Sequence, residues 1–232
     1  MSALVDLKSL AQSYNHRSKD PWDAVRLYRE AMTYSDDWGA QRIASAINSD
    51  QGNDFEGISR SEIRTWIEQD GMPDAARAVE TARDLGWDTD EWTETVRALA
   101  KLVIGVFAFG SIIKENYTPS WSPDDEESQS AIENALDMVG VGYQHVERDD
   151  PRQADEIKPK RHATRLGRAL VVAGAPIGDK NAQSVSGLPE WVATAPKVVQ
   201  MELAVLFVRG RGSERPGRVT LAVQADRPRA YF

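Results

Sequence analysis

The chain has 232 residues, 41% of them hydrophobic and 28% charged, which is enough apolar side chain for one or two packed cores and excludes a disordered protein. It has no cysteine, so disulfides and thiolate metal sites are excluded, and its three scattered histidines, His16, His145 and His162, argue against a zinc site. No apolar run approaches the roughly eighteen residues that span a membrane, Met1–Asn15 carries Asp6 and Lys8 and lacks the character of a signal, and the formal net charge is −8, so the expectation is a cytoplasmic protein with no membrane partner.

Leu4, Leu7, Leu10 and Tyr14 predict a short first helix. Lys19-Asp-Pro21 punctuates it, and Pro21 suits the first turn of a helix from Trp22 to about Tyr34, where its missing N–H costs nothing. Ser35-Asp-Asp37 offers a cap for Trp38–Ile47, with Ile43, Ala44 and Ile47 as an inward stripe. A polar loop, Asn48–Gly57, leads to Ser59-Arg-Ser-Glu62, a capping-box pattern. Behind it Ile63, Trp66 and Ile67 point inward, while Arg60, Ser61, Arg64, Thr65 and Gln69 occupy the outer face. Gly71-Met-Pro73 ends this helix and opens Asp74–Leu85. Trp22, Trp38, Trp66, Trp87 and Trp92 are expected as core anchors of a helical bundle over residues 1–89.

The pair Gly-Ala-Gln-Arg-Ile-Ala and Ser-Arg-Ser-Glu-Ile-Arg-Thr-Trp-Ile resembles a helix-turn-helix of the resolvase-like and homeodomain-like kind, with a connection longer than the usual tight turn. Such a helix can enter the major groove, where arginine donates to guanine in a fork and serine or glutamine reaches base or phosphate. The alternative is that Arg60 and Arg64 are solvated charges on a three-helix bundle.

From Asp90 to Ile113 the apolar residues Trp92, Val96, Leu99, Leu102, Val103, Val106 and Phe107 keep helical spacing, and Gly110-Ser111 is expected to end the helix. Ser111–Ile113 and Tyr117–Trp121 then flank a hairpin turn at Lys114-Glu-Asn116. The acidic run Asp124–Glu127 reads as the dipole-matched start of a helix, not a metal site, with Ile132, Ala135, Leu136 and Val139 inward and Gly140 as stop. Strands are expected at Val141–Glu147 and Ile157–His162, and a helix at Thr164–Ala173. A second apolar helix, Met201 onward, again closes in Gly212-Ser213, before strand-like Arg218–Val223 and Arg227–Phe232.

A helix that turns apolar all round and runs through Gly-Ser into a hairpin resembles the motif helix of the LAGLIDADG family, the homing endonucleases. Gly174-Ala-Pro-Ile-Gly-Asp-Lys180, Leu188-Pro-Glu-Trp191 and Ala195-Pro196 are similar to the inter-repeat segment of its intein-type members. The resemblance covers about Glu94 to the C-terminus. It implies an α+β chain: an all-helical helix-turn-helix bundle (1–89), a LAGLIDADG-like αββαββα saddle (90–180), and an incomplete second repeat (181–232). Family members carry a metal-binding aspartate at the helix foot, in Gly-Asp-Gly-Ser or Ala-Asp-Gly-Ser; the matching positions here are Phe109 and Arg211.

The resemblance also implies a DNA-facing sheet, with Lys114, Lys158, Lys160, Arg161 and His162 on or beside its strands and Lys180 at the inter-repeat lysine. Lys158, Lys160, Arg161, Arg165 and Arg168 form the densest basic cluster, and the charge is uneven: residues 1–100 carry 19 acidic and 11 basic side chains, 101–157 carry 12 and 4, and 158–232 carry 5 and 13. That asymmetry suggests a polyanion-binding segment on an acidic body. Twenty arginines against eight lysines, with abundant Asp and Glu, resembles the composition of proteins from salt-loving archaea.

The expectation is a sequence-specific protein of double-stranded DNA, a transcriptional regulator on a catalytically dead homing-endonuclease scaffold, similar to the bacterial sporulation regulators that join the same two parts. It is expected to be no enzyme and to need no metal or cofactor, with a second copy of the chain as candidate for completing the short repeat. The alternatives are a homing endonuclease with displaced metal ligands and an RNA-splicing maturase.

Overall fold

The computed structural model describes residues 3–14, 20–34, 38–50, 52, 55, 57–147, 154–180, 187–215 and 218–221. Two units divide the chain, Leu7–Thr81 and a second built from Met1–Asp6 with Ala82–Phe232.

The first unit is helical: α1 (Leu7–Gln12), α2 (Pro21–Met32), α3 (Ala40–Ser49), α4 (Arg60–Glu68) and the start of α5 (Asp74–Asp84), which carries the chain into the second unit. Asp20 caps α2, its carboxylate accepting the Trp22 N–H at 2.8 Å, and Pro21 takes the first turn as its fixed φ favours. The expected cap at Ser35-Asp-Asp37 lies outside the described residues, and the residue at the α3 N-cap is Gly39, with no side-chain cap. Val25, Leu27, Tyr28, Ile43, Ile47, Ile63 and Trp66 form the core with Val79. Two expected anchors differ. Trp22 and Trp38 are only half-buried, and Trp38 stacks on Tyr34 at 4.9 Å while the Arg42 guanidinium sits 4.0 Å above its ring. Indole rings pack as well on a neighbouring ring or cation as in a core.

In the second unit, Thr93 caps α6 (Glu94–Ala108) by accepting the Val96 N–H at 3.2 Å, and every residue from Ala98 to Ala108 except Lys101 is buried. The helix stops at Ala108, earlier than expected. Phe109 is its C-cap, and Gly110 already begins β1. The order then runs β1 (Gly110–Ile112), β2 (Pro119–Trp121), α7 (Glu126–Met138), β3 (Tyr143–Val146), β4 (Glu156–Pro159) and α8 (Ala163–Val172). Asp125 caps α7 by accepting the Ser128 N–H at 2.8 Å, so the acidic run is a helix start.

The four strands make one antiparallel sheet in the order β1-β2-β4-β3. The chain is thus mixed α+β. Ile112, Trp121 and Ile157 are buried on the side packed by helices, while Ser111, Ser120, Gln144, Glu156 and Lys158 share the other face by strand parity. β1 keeps its three residues, shifted one position earlier, while β2, β3 and β4 are shorter than expected, for a local reason. Tyr117, Gly142 and His162 have φ of +58°, +63° and +54°, left-handed values that no extended strand continues through. Lys160, Arg161 and His162 therefore lie beyond β4.

Downstream stand α9 (Trp191–Thr194), α10 (Lys197–Arg211) and a two-stranded hairpin, β5 (Gly212–Arg215) with β6 (Arg218–Leu221). Pro196 at the N-cap starts α10 one turn before the expected Met201. Arg227–Phe232 lies outside the described residues. Helix α10 packs along α6, and Gly210 makes their crossing close: a Cβ there would meet Phe109 Cε1 at 2.8 Å and Ala108 Cβ at 2.9 Å. Trp87 belongs to this unit and not to the helical bundle, fully buried with its Nε1–H donating to the Val139 carbonyl at 3.0 Å. Trp92 is half-buried, its ring 6.0 Å from that of Trp191. No described helix is long and apolar enough to cross a membrane.

Candidate nucleic-acid interface

On α4 the local chemistry sorts the two faces as the sequence suggests. Ser59 caps the helix by accepting the Glu62 N–H at 3.2 Å, Ile63 and Trp66 are buried against α3, and Arg60, Ser61, Arg64, Thr65 and Gln69 are all exposed. Glu68 shares this face: its carboxylate accepts from Arg64 Nε at 2.9 Å, so one acidic residue orients a candidate reading arginine. The Thr65 hydroxyl donates to the Ser61 carbonyl at 3.1 Å.

The long connection between α3 and α4 is braced by a residue that sequence reasoning passed over. Asn48 Nδ2 donates to the Ile58 carbonyl at 2.9 Å, and the Ile58 N–H donates to Asn48 Oδ1 at 2.8 Å. This two-bond clamp fixes the entry of α4 one residue before its cap, across ten residues of chain.

The basic cluster of the second unit is not one surface. Lys158 is half-buried and paired with Glu156 at 2.7 Å, so the expected phosphate ligand is held on the sheet face by an acid two residues away on its own strand. Ser120 Oγ bonds the same carboxylate at 3.2 Å and lies 3.3 Å from Ser111 Oγ, which gives this face a neutral polar chain. Lys160 and Arg161 are exposed just past β4, Arg161 Nη2 lying 3.4 Å from the Gly140 carbonyl. Lys114 is exposed in the β1–β2 turn. Arg165 Nη1 sits 2.8 Å from His162 Nδ1, and Arg168 lies 3.8 Å over the Tyr117 ring, so both arginines of α8 serve local contacts. Burial first, then Arg165 and Arg161, holds the His162 pKa below its ordinary value.

The foot of α6 is lined by two cations. Lys180 Nζ donates to the Val106 carbonyl at 2.6 Å and to the Gly110 carbonyl, and Arg211 Nη2 donates to the Phe107 carbonyl at 3.2 Å. The Val106 and Phe107 carbonyls are among those that the end of α6 leaves unsatisfied, at the negative end of its dipole, and the Gly110 carbonyl is the first of β1. Phe109 packs its ring on Gly210. Lys180 is thus bound to protein carbonyls and does not stand out as a phosphate ligand.

No family model, no curated protein and no solved structure matches this chain.

Proposed function

We propose that the chain is a sequence-specific DNA-binding protein, a regulator built on a LAGLIDADG-like scaffold that binds duplex without cutting it. The observation that carries this is the exposed polar face of α4, five donor-bearing side chains on a capped helix whose opposite face is core. The order helix, hairpin, helix, two strands, helix around one antiparallel sheet supports the scaffold reading, as does the pairing of two apolar helices that each run into a Gly-initiated strand. Phosphodiester hydrolysis with a divalent cation requires carboxylates aimed at the scissile phosphate. The positions that would supply them hold a phenyl ring, Phe109, and a guanidinium, Arg211.

On this reading Arg60 and Arg64 choose sequence, while Lys160, Arg161 and Lys114 supply charge to phosphates. Arg64→Ala should flatten the preference among sites selected from random duplexes, each lost forked base contact being worth about 1–3 kcal/mol. Lys160→Ala with Arg161→Ala should weaken all duplexes alike and reduce the salt slope by about one unit per contact. Equal loss from both variants on selected and random DNA overturns the division. Cleavage of the selected duplex that requires Mg²⁺ and stops with a chelator overturns the non-cleaving scaffold in favour of an endonuclease.

A further inference from the structure

The segment Leu188-Pro-Glu-Trp191, which the proposed function leaves without a role, ends in a tryptophan whose ring is fixed from behind. Trp191 Nε1–H donates to the Ala173 carbonyl at 2.7 Å, and Pro189 sits so close to Gly174 that a Cβ there would stand 2.7 Å from Pro189 Cγ. Trp92 is held from the other side, one residue before the Thr93 cap that accepts the Val96 N–H at 3.2 Å. The two indoles lie 6.0 Å apart between centroids and are tilted by 53°, so they meet as two walls of a corner and not as a closed stack. Both are only half-buried, and they line a cavity of about 240 Å³ with Leu4, Val96 and Glu190. All of these residues belong to one unit.

The chemistry of that lining decides the charge of what it takes. Among the described residues Glu190 is the one charged side chain in the lining, and it is exposed; Asp90 and Glu91, exposed next to Thr89, have the same sign. An anion meets repulsion there. An indole presents a negative π face, and the polar edge of Trp191 is already spent on Ala173. A bare ammonium is poorly served as well, because it would exchange a full water shell for one carboxylate and π surface. An ammonium whose hydrogens are replaced by methyl groups has no N–H left to satisfy, and its charge rests well on indole faces. We propose that the corner between Trp92 and Trp191 is a binding site for a small alkylammonium compound, a molecule with a trimethylammonium group whose charge is answered by Glu190. The cavity is smaller than the roughly 300–1,000 Å³ of drug-sized ligand sites, which suits a molecule of that size. With a single, exposed carboxylate the site is weak, with Kd on the order of 1 mM. It lies outside the DNA-binding reading and stands whether or not that reading does.

The seven tryptophans of ¹⁵N-labelled protein give indole N–H signals, of which those of Trp92 and Trp191 are assigned with Trp92→Phe and Trp191→Phe. Choline chloride, titrated at constant ionic strength, should shift these two signals and leave that of Trp66 in place. The uncharged isostere of choline, in which carbon replaces nitrogen, should bind about tenfold more weakly or not at all. Affinity should rise from ammonium through methylammonium to tetramethylammonium. Glu190→Gln changes an exposed side chain, so it should keep the circular dichroism spectrum and weaken choline about two- to fivefold. Trp92→Leu, read on the Trp191 signal, should weaken it about fivefold or more, with Trp92→Phe between. Two unmoved signals at about 50 mM choline, far above the expected Kd, overturn the proposal. Equal binding of the uncharged isostere, a reversed order of the ammonium series, or a Kd unmoved by both Glu190→Gln and Trp92→Leu each overturns it too.

Discussion

Replacing Gly210 by alanine inserts a methyl group where α6 and α10 cross. Its Cβ would stand 2.8 Å from Phe109 Cε1 and 2.9 Å from Ala108 Cβ, and closer still to Phe109 Cδ1. Carbon atoms rest at about 3.5–4.0 Å, so the ring or one helix must move by about an ångström. Overpacking of this kind costs about 1–3 kcal/mol. Against it stands the helix preference of alanine over glycine, about 1 kcal/mol in a helix interior and less in the last turn, where Gly210 sits. The clash wins, with a net loss of about 1–2 kcal/mol. The decisive comparison is the same substitution in a Phe109→Ala background. With the ring gone the 2.9 Å approach to Ala108 Cβ remains, so Gly210→Ala should still cost stability, but less than in the wild type. Urea unfolding of the four variants, followed by tryptophan fluorescence and far-ultraviolet circular dichroism, measures the cycle. A stabilising Gly210→Ala in the wild type, or a loss of the same size in both backgrounds, refutes the close crossing.

Lys180→Met removes two charge-assisted bonds, one from the carbonyl end of α6 and one from the start of β1, and should cost about 2–4 kcal/mol in the same assay; a loss below about 0.5 kcal/mol would show that solvent replaces the ammonium freely. Asn48→Ala breaks both bonds of the clamp before α4 and should cost about 1–2 kcal/mol, with faster amide exchange at Ile58; unchanged exchange there would show the clamp idle. The folded pKa of His162 lies below its ordinary value of 6.5, so the unfolded chain takes up the proton first as pH falls. Stability from the neutral ring is full above pH 6.5 and declines below it until the folded pKa is passed. His162→Asn, which tolerates the left-handed backbone, should flatten that decline, and an unaltered slope of stability against pH excludes His162 as its source. Screening of the acidic body, whose residues 1–157 carry 31 acidic and 15 basic side chains, should raise the melting temperature between low and molar KCl; an unchanged value removes the resemblance to salt-adapted proteins as an explanation of the composition.

The helices were legible because their signals are local. The stripe Val96, Leu99, Leu102, Val103, the cap at Ser59 and the acidic start Asp124–Glu127 each lie within a few residues of the turn they organise, and the structure keeps them. The first four strands were legible in number and chain order, but β2, β3 and β4 not in length, since nothing in the letters Tyr117 or His162 announces a left-handed backbone, and β5 at Gly212–Arg215 was read only as a helix stop. The candidate interface divided along the same line. On α4 the exposed set follows from helical periodicity alone. In the second unit the basic residues were grouped by nearness in sequence, whereas their availability depends on partners: Glu156 for Lys158, Tyr117 for Arg168, and backbone carbonyls for Lys180. The Glu156–Lys158 pair had a readable signal, because residues two apart on a strand share a face. The Asn48 clamp had none, its partner being ten residues away across a loop.

The cations at the foot of α6 bear on whether that helix end calls for a metal ion. The carbonyl end of α6 presents a partial negative charge and unsatisfied acceptors. A carboxylate added there would deepen that charge and be tolerated only with a cation beside it. Here Phe109 adds no charge, and the helix carbonyls of Val106 and Phe107 are met by Lys180 and Arg211 from the protein itself, Lys180 also meeting the Gly110 carbonyl of β1. The end of the helix is therefore compensated by covalently attached cations, and its stability makes no demand for an ion from solution. Under the proposed function this uncouples folding and DNA binding from metal, so affinity for the selected duplex should be the same in Mg²⁺ and in chelator at matched ionic strength. A tenfold gain in affinity on adding Mg²⁺, about 1.4 kcal/mol, would mean that a cation still bridges protein and phosphate, and the compensation argument would fail.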